Sequence, residues 1–168
     1  MVRACLANDQ NAPVVVPYDV FTHSVWYNTN NDLKRSIILM KNKPDIAFGW
    51  IVLDCDDVNG LAEFYSRLLG WEKSDDESDE WADVTAPSGM KIAFQKNEGY
   101  VRPVWPEEPD KQMIMAHLDF TVENNEQLTL AVDHAITCGA VKASVQYDEE
   151  SYITMLDPAG HPFCFVVM

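Results

Sequence analysis

Between Ala47 and Cys55 the chain is mostly apolar, a run that predicts a buried strand. Asp56 and Asp57 follow where a helix N-cap belongs. The period then changes. Leu61, Phe64, Tyr65, Leu68 and Leu69 fall at i, i+3, i+4, i+7 and i+8, one apolar helical face, and Gly70 supplies the stop. Three shorter runs, Trp71 to Lys73, Glu80 to Thr85 and Lys91 to Gln95, have the length and alternation of strands. The first half therefore reads βαβββ.

The second half repeats the pattern. Met113 to Val122 reads as a strand. Asn124 or Asn125 can cap a helix carrying Leu128, Leu130, Ala131, Val132, Ala135 and Ile136, and Gly139 ends it. Strands are expected at Val141 to Val145, Tyr152 to Leu156 and Pro162 to Val167. Two tight turns punctuate the halves alike, Ala86-Pro87-Ser88-Gly89 and Asp157-Pro158-Ala159-Gly160, each ahead of an apolar run. The stop and turn glycines lie 19 residues apart in the first half (70 to 89) and 21 in the second (139 to 160), as an internal repeat requires. The expectation is an α+β domain over residues 47–168, with modules 47–100 and 112–168. The linker, 101–111, is stiffened by Pro103, Pro106 and Pro109.

Residues 1–46 differ in character: Asn-rich, interrupted by proline, with Val14 to Val16 and Ser36 to Met40 as short apolar runs. They read as an extension that folding does not need, and Met40 would serve as an alternative start. Charge sharpens the division. Residues 1–46 hold five Lys/Arg against four Asp/Glu, whereas residues 47–168 hold seven against twenty-three, a net −16. Such a surface repels phosphate backbones and anionic lipid, so nucleic acid and membrane are not the expected partners. Asp75, Asp76, Glu77, Asp79 and Glu80 read as a solvated loop, since they lack the glycine and terminal glutamate of a calcium loop. Four cysteines stand far apart, with Cys55, Cys138 and Cys164 in apolar stretches, which predicts reduced, buried thiols. With no long apolar span and no signal-like start, the expected compartment is the cytoplasm.

Residues 47–168 resemble the vicinal-oxygen-chelate superfamily, which includes glyoxalase I, bleomycin-resistance proteins and extradiol dioxygenases, and in particular its glyoxalase-like domain branch. The resemblance is carried by Asp57, Leu61, Phe64, Tyr65, Leu69, Gly70 and Trp71, then Trp105 and Pro106, then His117, Leu118 and Asp119. Gly139 and Ala140 continue it, and Asp157, Pro158, Gly160, Phe163 and Cys164 complete it. It implies that the two modules build a cupped mixed sheet and that two copies pair as a homodimer. Metal enzymes of the superfamily place one ligand at each of four equivalent strand positions, which fall here at Trp50, Ala93, His117 and Cys164. Only His117 is a usual ligand there, so neither metal nor other cofactor is expected.

The residues expected to bind a ligand are Trp50, Gln95, Trp105, His117 and Cys164, with His117 as the candidate catalytic base. Met115, His117 and Asp119 share one strand face by alternation, and an i, i+2 pair is spaced for adjacency rather than contact. Each residue has a plainer reading: a hydrogen-bonded histidine, a surface glutamine, a tryptophan anchoring the linker, a small buried thiol. His23, His134 and His161 are expected at the surface. The leading expectation is a metal-independent binder of a small organic molecule in the cup, acting by sequestration. The alternatives are a metal- or His-based lyase, isomerase or dioxygenase, and an interaction module with no small ligand.

Overall fold

Residues 44–75 and 78–168 are described by the computed structural model; the expectations for the extension, its apolar runs and His23, and for Asp76 and Glu77 in the acidic loop, lie outside them. The unit Phe48–Met168 contains two βαβββ modules. In the first, β1 (Ile51–Cys55), α1 (Val58–Leu69), β2 (Glu72–Lys73), β3 (Trp81–Thr85) and β4 (Lys91–Lys96) follow one another. In the second, β5 (Leu118–Val122), α2 (Asn125–Cys138), β6 (Val141–Lys142), β7 (Tyr152–Leu156) and β8 (Pro162–Val167) repeat the order. The sheets have equivalent topologies, β1-β4-β3-β2 and β5-β8-β7-β6, with a parallel pair at one end and antiparallel pairs beyond.

Helix α1 forms where the sequence marks it. Asp57 is extended (φ −126°, ψ 90°), and its Oδ1 accepts the Gly60 N–H at 2.9 Å, satisfying one of the free amides of the first turn. Val58, Leu61, Ala62, Phe64, Tyr65 and Leu68 are buried, and Gly70 closes the helix in the left-handed region at φ 65°. In α2, Asn124 caps the Gln127 N–H at 3.0 Å. Leu128, Ala135 and Cys138 are buried, while Leu130 and Ile136 face solvent, so the apolar stripe is narrower than the sequence promises.

Strand alternation separates the two faces of each sheet. Leu53 and Cys55, Ala82 and Val84, Ile92 and Phe94, Ile153 and Met155, and Phe163 and Phe165 enter one core with both helices. Ring contacts tie the modules together: Phe64 and Tyr65 of α1 pack on Phe163 of β8 with centroids 6.1 and 6.4 Å apart. The opposite faces carry Val52 and Asp54, Asp83, Gln95, Asp119, Thr154 and Cys164.

Three strands are shorter than their apolar runs. β1 begins at Ile51, paired with Ile92, and upstream Phe48 and Trp50 are exposed. β5 begins at Leu118 because β8 opens with Pro162, which has no N–H to offer residues before it. β6 ends at Lys142; Ala143 N–H still reaches Thr154 O at 3.0 Å, after which the Gln146 amide takes over. Its Nε2 donates to Ala143 O and Thr154 O and its Oε1 accepts the Thr154 N–H, all at 2.8 Å.

Candidate functional site

The open face of the second sheet holds a recess of about 270 Å³ lined by Trp105, His117, Asp119, Thr154 and Cys164, with Tyr152 at its side. β5 and β8 pair in parallel with Asp119 opposite Cys164, and β8 and β7 pair antiparallel with Cys164 opposite Thr154. The floor is therefore a row across three strands. Trp105 comes from the linker, at a cis bond to Pro106. Its indole Nε1 donates to Val145 O at 2.8 Å, and its ring meets Tyr147 edge-on with centroids 5.5 Å apart. That hydrogen bond and ring contact hold the indole over the sheet.

His117 Nε2 lies 3.4 Å from Asp119 Oδ1, so these residues meet despite their i, i+2 spacing. Both side chains are about half exposed, and the pair is an open polar edge, not a buried ion pair. Cys164 is buried, with Sγ 3.5 Å from the hydroxyl of fully buried Thr154. Burial pushes its thiol up, so it stands as a neutral, weakly polar surface.

Trp105, His117 and Cys164 thus line one recess. Gln95 does not join them: it lines a larger cavity of about 450 Å³ with Val52, Asp54, Asn97 and the 112–116 segment. Trp50 precedes β1, is half exposed, and lines neither space. At the four positions that the resemblance assigns to metal ligands, Trp50 and Ala93 supply no donor and burial keeps the Cys164 thiol protonated. Among the described residues no cluster of three or more His, Cys, Asp or Glu forms. This donor set does not fit a divalent ion held by three or four protein ligands.

The larger cavity has chemistry of its own. Asp157, 1% exposed, sits in the second turn. Its Oδ2 accepts from Tyr65 Oη at 3.0 Å and lies 2.9 Å from His161 Nδ1, while Oδ1 accepts the His161 N–H at 2.9 Å. Burial, and then the Asp157 charge, raise the Tyr65 phenol well above its ordinary value, so it remains a donor. Tyr100 Oη lies 2.8 Å from Ala159 O and 3.1 Å from His161 Nε2. Tyr100 and His161 both line the cavity, and the His161 side chain is 14% exposed, contrary to its expected surface position. The burial of Asp157 drew it in. A carboxylate out of water needs several donors, and the ring four residues on supplies one. Nothing in a Pro-Gly turn announces that its aspartate is buried.

Residues 50–166 match the profile of a family described as a glyoxalase-like domain. Solved structures agree on the fold. A protein from Agrobacterium tumefaciens, determined in solution by NMR, aligns with a TM-score of 0.56 at 20% identity, over 74% of this chain and 98% of its own. A glyoxalase/bleomycin resistance protein/dioxygenase family enzyme from Burkholderia phytofirmans PsJN aligns with a TM-score of 0.54 at 20% identity, over 70% and 94%. A glyoxylase/bleomycin resistance protein/dioxygenase domain from Frankia sp. EAN1pec gives 0.52 at 17% identity, over 74% and 98%. A comparison with curated proteins finds no match.

Proposed function

The chain belongs to the glyoxalase-like domain family of the vicinal-oxygen-chelate superfamily, and from that membership we propose that it binds a small, cationic, partly apolar organic molecule without a metal ion, sequestering it rather than converting it. The observation that carries this reading is the convergence of Trp105 from the linker, His117 just before β5 and Cys164 of β8 on one recess. At about 270 Å³ it lies just below the roughly 300 Å³ at which pockets for drug-sized ligands begin, so the occupant is small. An anchored indole, the Tyr152 ring and the Asp119 carboxylate together favour a positive charge on an apolar body. The net −16 of residues 47–168 draws cations toward it.

Benzyltrimethylammonium is a suitable probe, followed by calorimetry and tryptophan fluorescence. Saturable 1:1 binding is expected, weakened about tenfold in Trp105→Ala and Asp119→Asn proteins, the scale of one cation–π contact or one charge. No saturation, or equal affinity in the Trp105→Ala protein, overturns the site. Stoichiometric Ni, Zn, Mn or Fe in protein purified without a chelating column overturns the metal-independent part.

The 3.4 Å approach of His117 to Asp119 favours a second reading, a lyase or isomerase with His117 as general base and Asp119 holding its ring. Turnover of a bound ligand that is lost in a His117→Gln protein while binding persists would select it.

A further inference from the structure

Tyr100 and His161 stand side by side in the wall of the larger cavity. Their hydrogen bonds fix where the protons lie. Asp157 Oδ2 accepts from the Tyr65 hydroxyl, which burial keeps protonated, and lies 2.9 Å from His161 Nδ1. Two atoms at that distance with one carboxylate lone pair between them require Nδ1 to carry the hydrogen. In the neutral ring Nε2 is then the acceptor.

Tyr100 is the group that faces it, and the Tyr100 phenol is raised by burial first and the Asp157 charge next. It therefore keeps its single hydrogen, and has two acceptors for it: Ala159 O at 2.8 Å and His161 Nε2 at 3.1 Å. When the hydroxyl takes the shorter bond, Nε2 is left without a donor. The ring cannot turn to find another, because Asp157 holds its Nδ1 and its backbone N–H together. The turn beneath is equally fixed. Gly160 N–H donates to Asp157 O at 2.9 Å, and Asp157 N–H to His161 O at 3.0 Å. Arg102 lies against Gly160, where a Cβ would strike its side chain, and donates to Pro158 O at 2.9 Å.

We propose that Asp157 and His161 form a general acid–base site on the cavity of about 450 Å³ between the modules, with the Tyr100 hydroxyl as the competing partner of Nε2, acting on a small uncharged molecule that carries an acidic C–H bond. The lining suits such a molecule: Val52, Met113 and Ile114 are apolar, and Gln95, Asn97 and Gln112 supply neutral amides. Among the lining residues Asp54 is the one carboxylate besides no Lys or Arg, and its Oδ2 accepts from Asn97 Nδ2 at 3.1 Å. In the step, the C–H bond breaks and an Nε2–H bond forms. The C–H electron pair passes to an electron-withdrawing group of the ligand, and Asp157 stabilises the imidazolium. The proton then returns to another atom of the ligand or to water. When the proton returns to the ligand the net result is an isomerisation. When instead the C–H pair forms a new π bond and an adjacent bond breaks with its electrons onto a leaving group of the ligand, which the proton then neutralises, it is an elimination. Neither needs an oxidant, reductant or second substrate.

5-Nitrobenzisoxazole tests this directly, because its ring opening needs only a base and an apolar pocket. The C–H proton goes to the base, the C–H pair forms the nitrile, and the N–O bond breaks onto oxygen to give a yellow phenolate. Wild-type protein is expected to open the ring at least tenfold faster than free imidazole at equal concentration. His161→Asn keeps an N–H for Asp157 and lacks Nε2; its rate is expected to fall at least tenfold, whereas His134→Ala, at an exposed histidine of α2, keeps the wild-type rate. A wild type no faster than imidazole, or a folded His161→Asn protein with undiminished rate, overturns the proposal. Should His161→Asn lower the melting temperature, Tyr100→Phe carries the test: it removes the hydroxyl that competes for Nε2, so a faster rate supports the site and an unchanged or slower one overturns it. Ammonium binding by the smaller recess and ring opening here are read on different cavities with different variants, so either can fail alone.

Discussion

Cys55 ends β1 with its side chain wholly buried, and its thiol is pushed up to about 12, by burial first and by the Asp56, Asp157 and Asp57 charges next. The unfolded chain, with a thiol at 9.0, loses that proton earlier. Between pH 9 and 12 the unfolded state therefore binds fewer protons than the folded one, so stability is full below pH 9 and falls as pH rises through the window. Urea midpoints measured from pH 7 to 11 are expected to hold steady and then drop, and Cys55→Ala is expected to drop less steeply over the same range. Residue identity alone announced this thiol as buried, because a cysteine in an apolar strand has few other fates. Residue identity did not announce Asp157 or His161. Their arrangement comes from a carboxylate enclosed by Tyr65 and the His161 ring, and Tyr65 is 92 positions away in the chain.

At the scale of the element, α1 was legible down to its caps, because N-capping, a wide apolar face and a stop glycine are all local signals. One detail was not. Gly60 sits in the first turn, and a Cβ there would strike Asp57 Oδ2, the carboxylate that caps the helix. Gly→Ala inside a helix normally stabilises by about 0.5–1 kcal/mol. Here Gly60→Ala is expected to give no gain and to lose up to ~1 kcal/mol as the cap is displaced, measured by urea unfolding. Combined with Asp57→Ala the glycine substitution should regain its usual benefit, since the obstacle has gone. The strands were legible as apolar runs but not in length. Met113 to His117 run past the start of β8, and beyond Ala143 the Gln146 amide takes the Thr154 backbone groups, so pairing is decided by the neighbouring strand and what competes for it, not by the run itself.

Across the molecule, Phe163 is the residue through which the modules hold together: fully buried on β8, it touches Phe64, Tyr65, Phe120 and Phe165. Phe163→Ala is expected to cost ~3–5 kcal/mol and to lower the urea midpoint of the whole unit in a single transition, since the cavity would open between both halves. Circular dichroism and tryptophan fluorescence should report the same midpoint. The repeat, its α+β class and both helices were determined by the sequence alone, because periodicity, caps and turn residues act over a few neighbours. The candidate site was readable only in part. Trp105, His117 and Cys164 converge on one recess, Gln95 belongs to another cavity, and Trp50 to neither. Which strand faces share a cavity depends on register and on where the linker crosses, and these are settled by packing between residues far apart in the chain. For the same reason the burial of Asp157, and with it the position of His161 between Asp157 and Tyr100, was decided only when the two modules closed on each other.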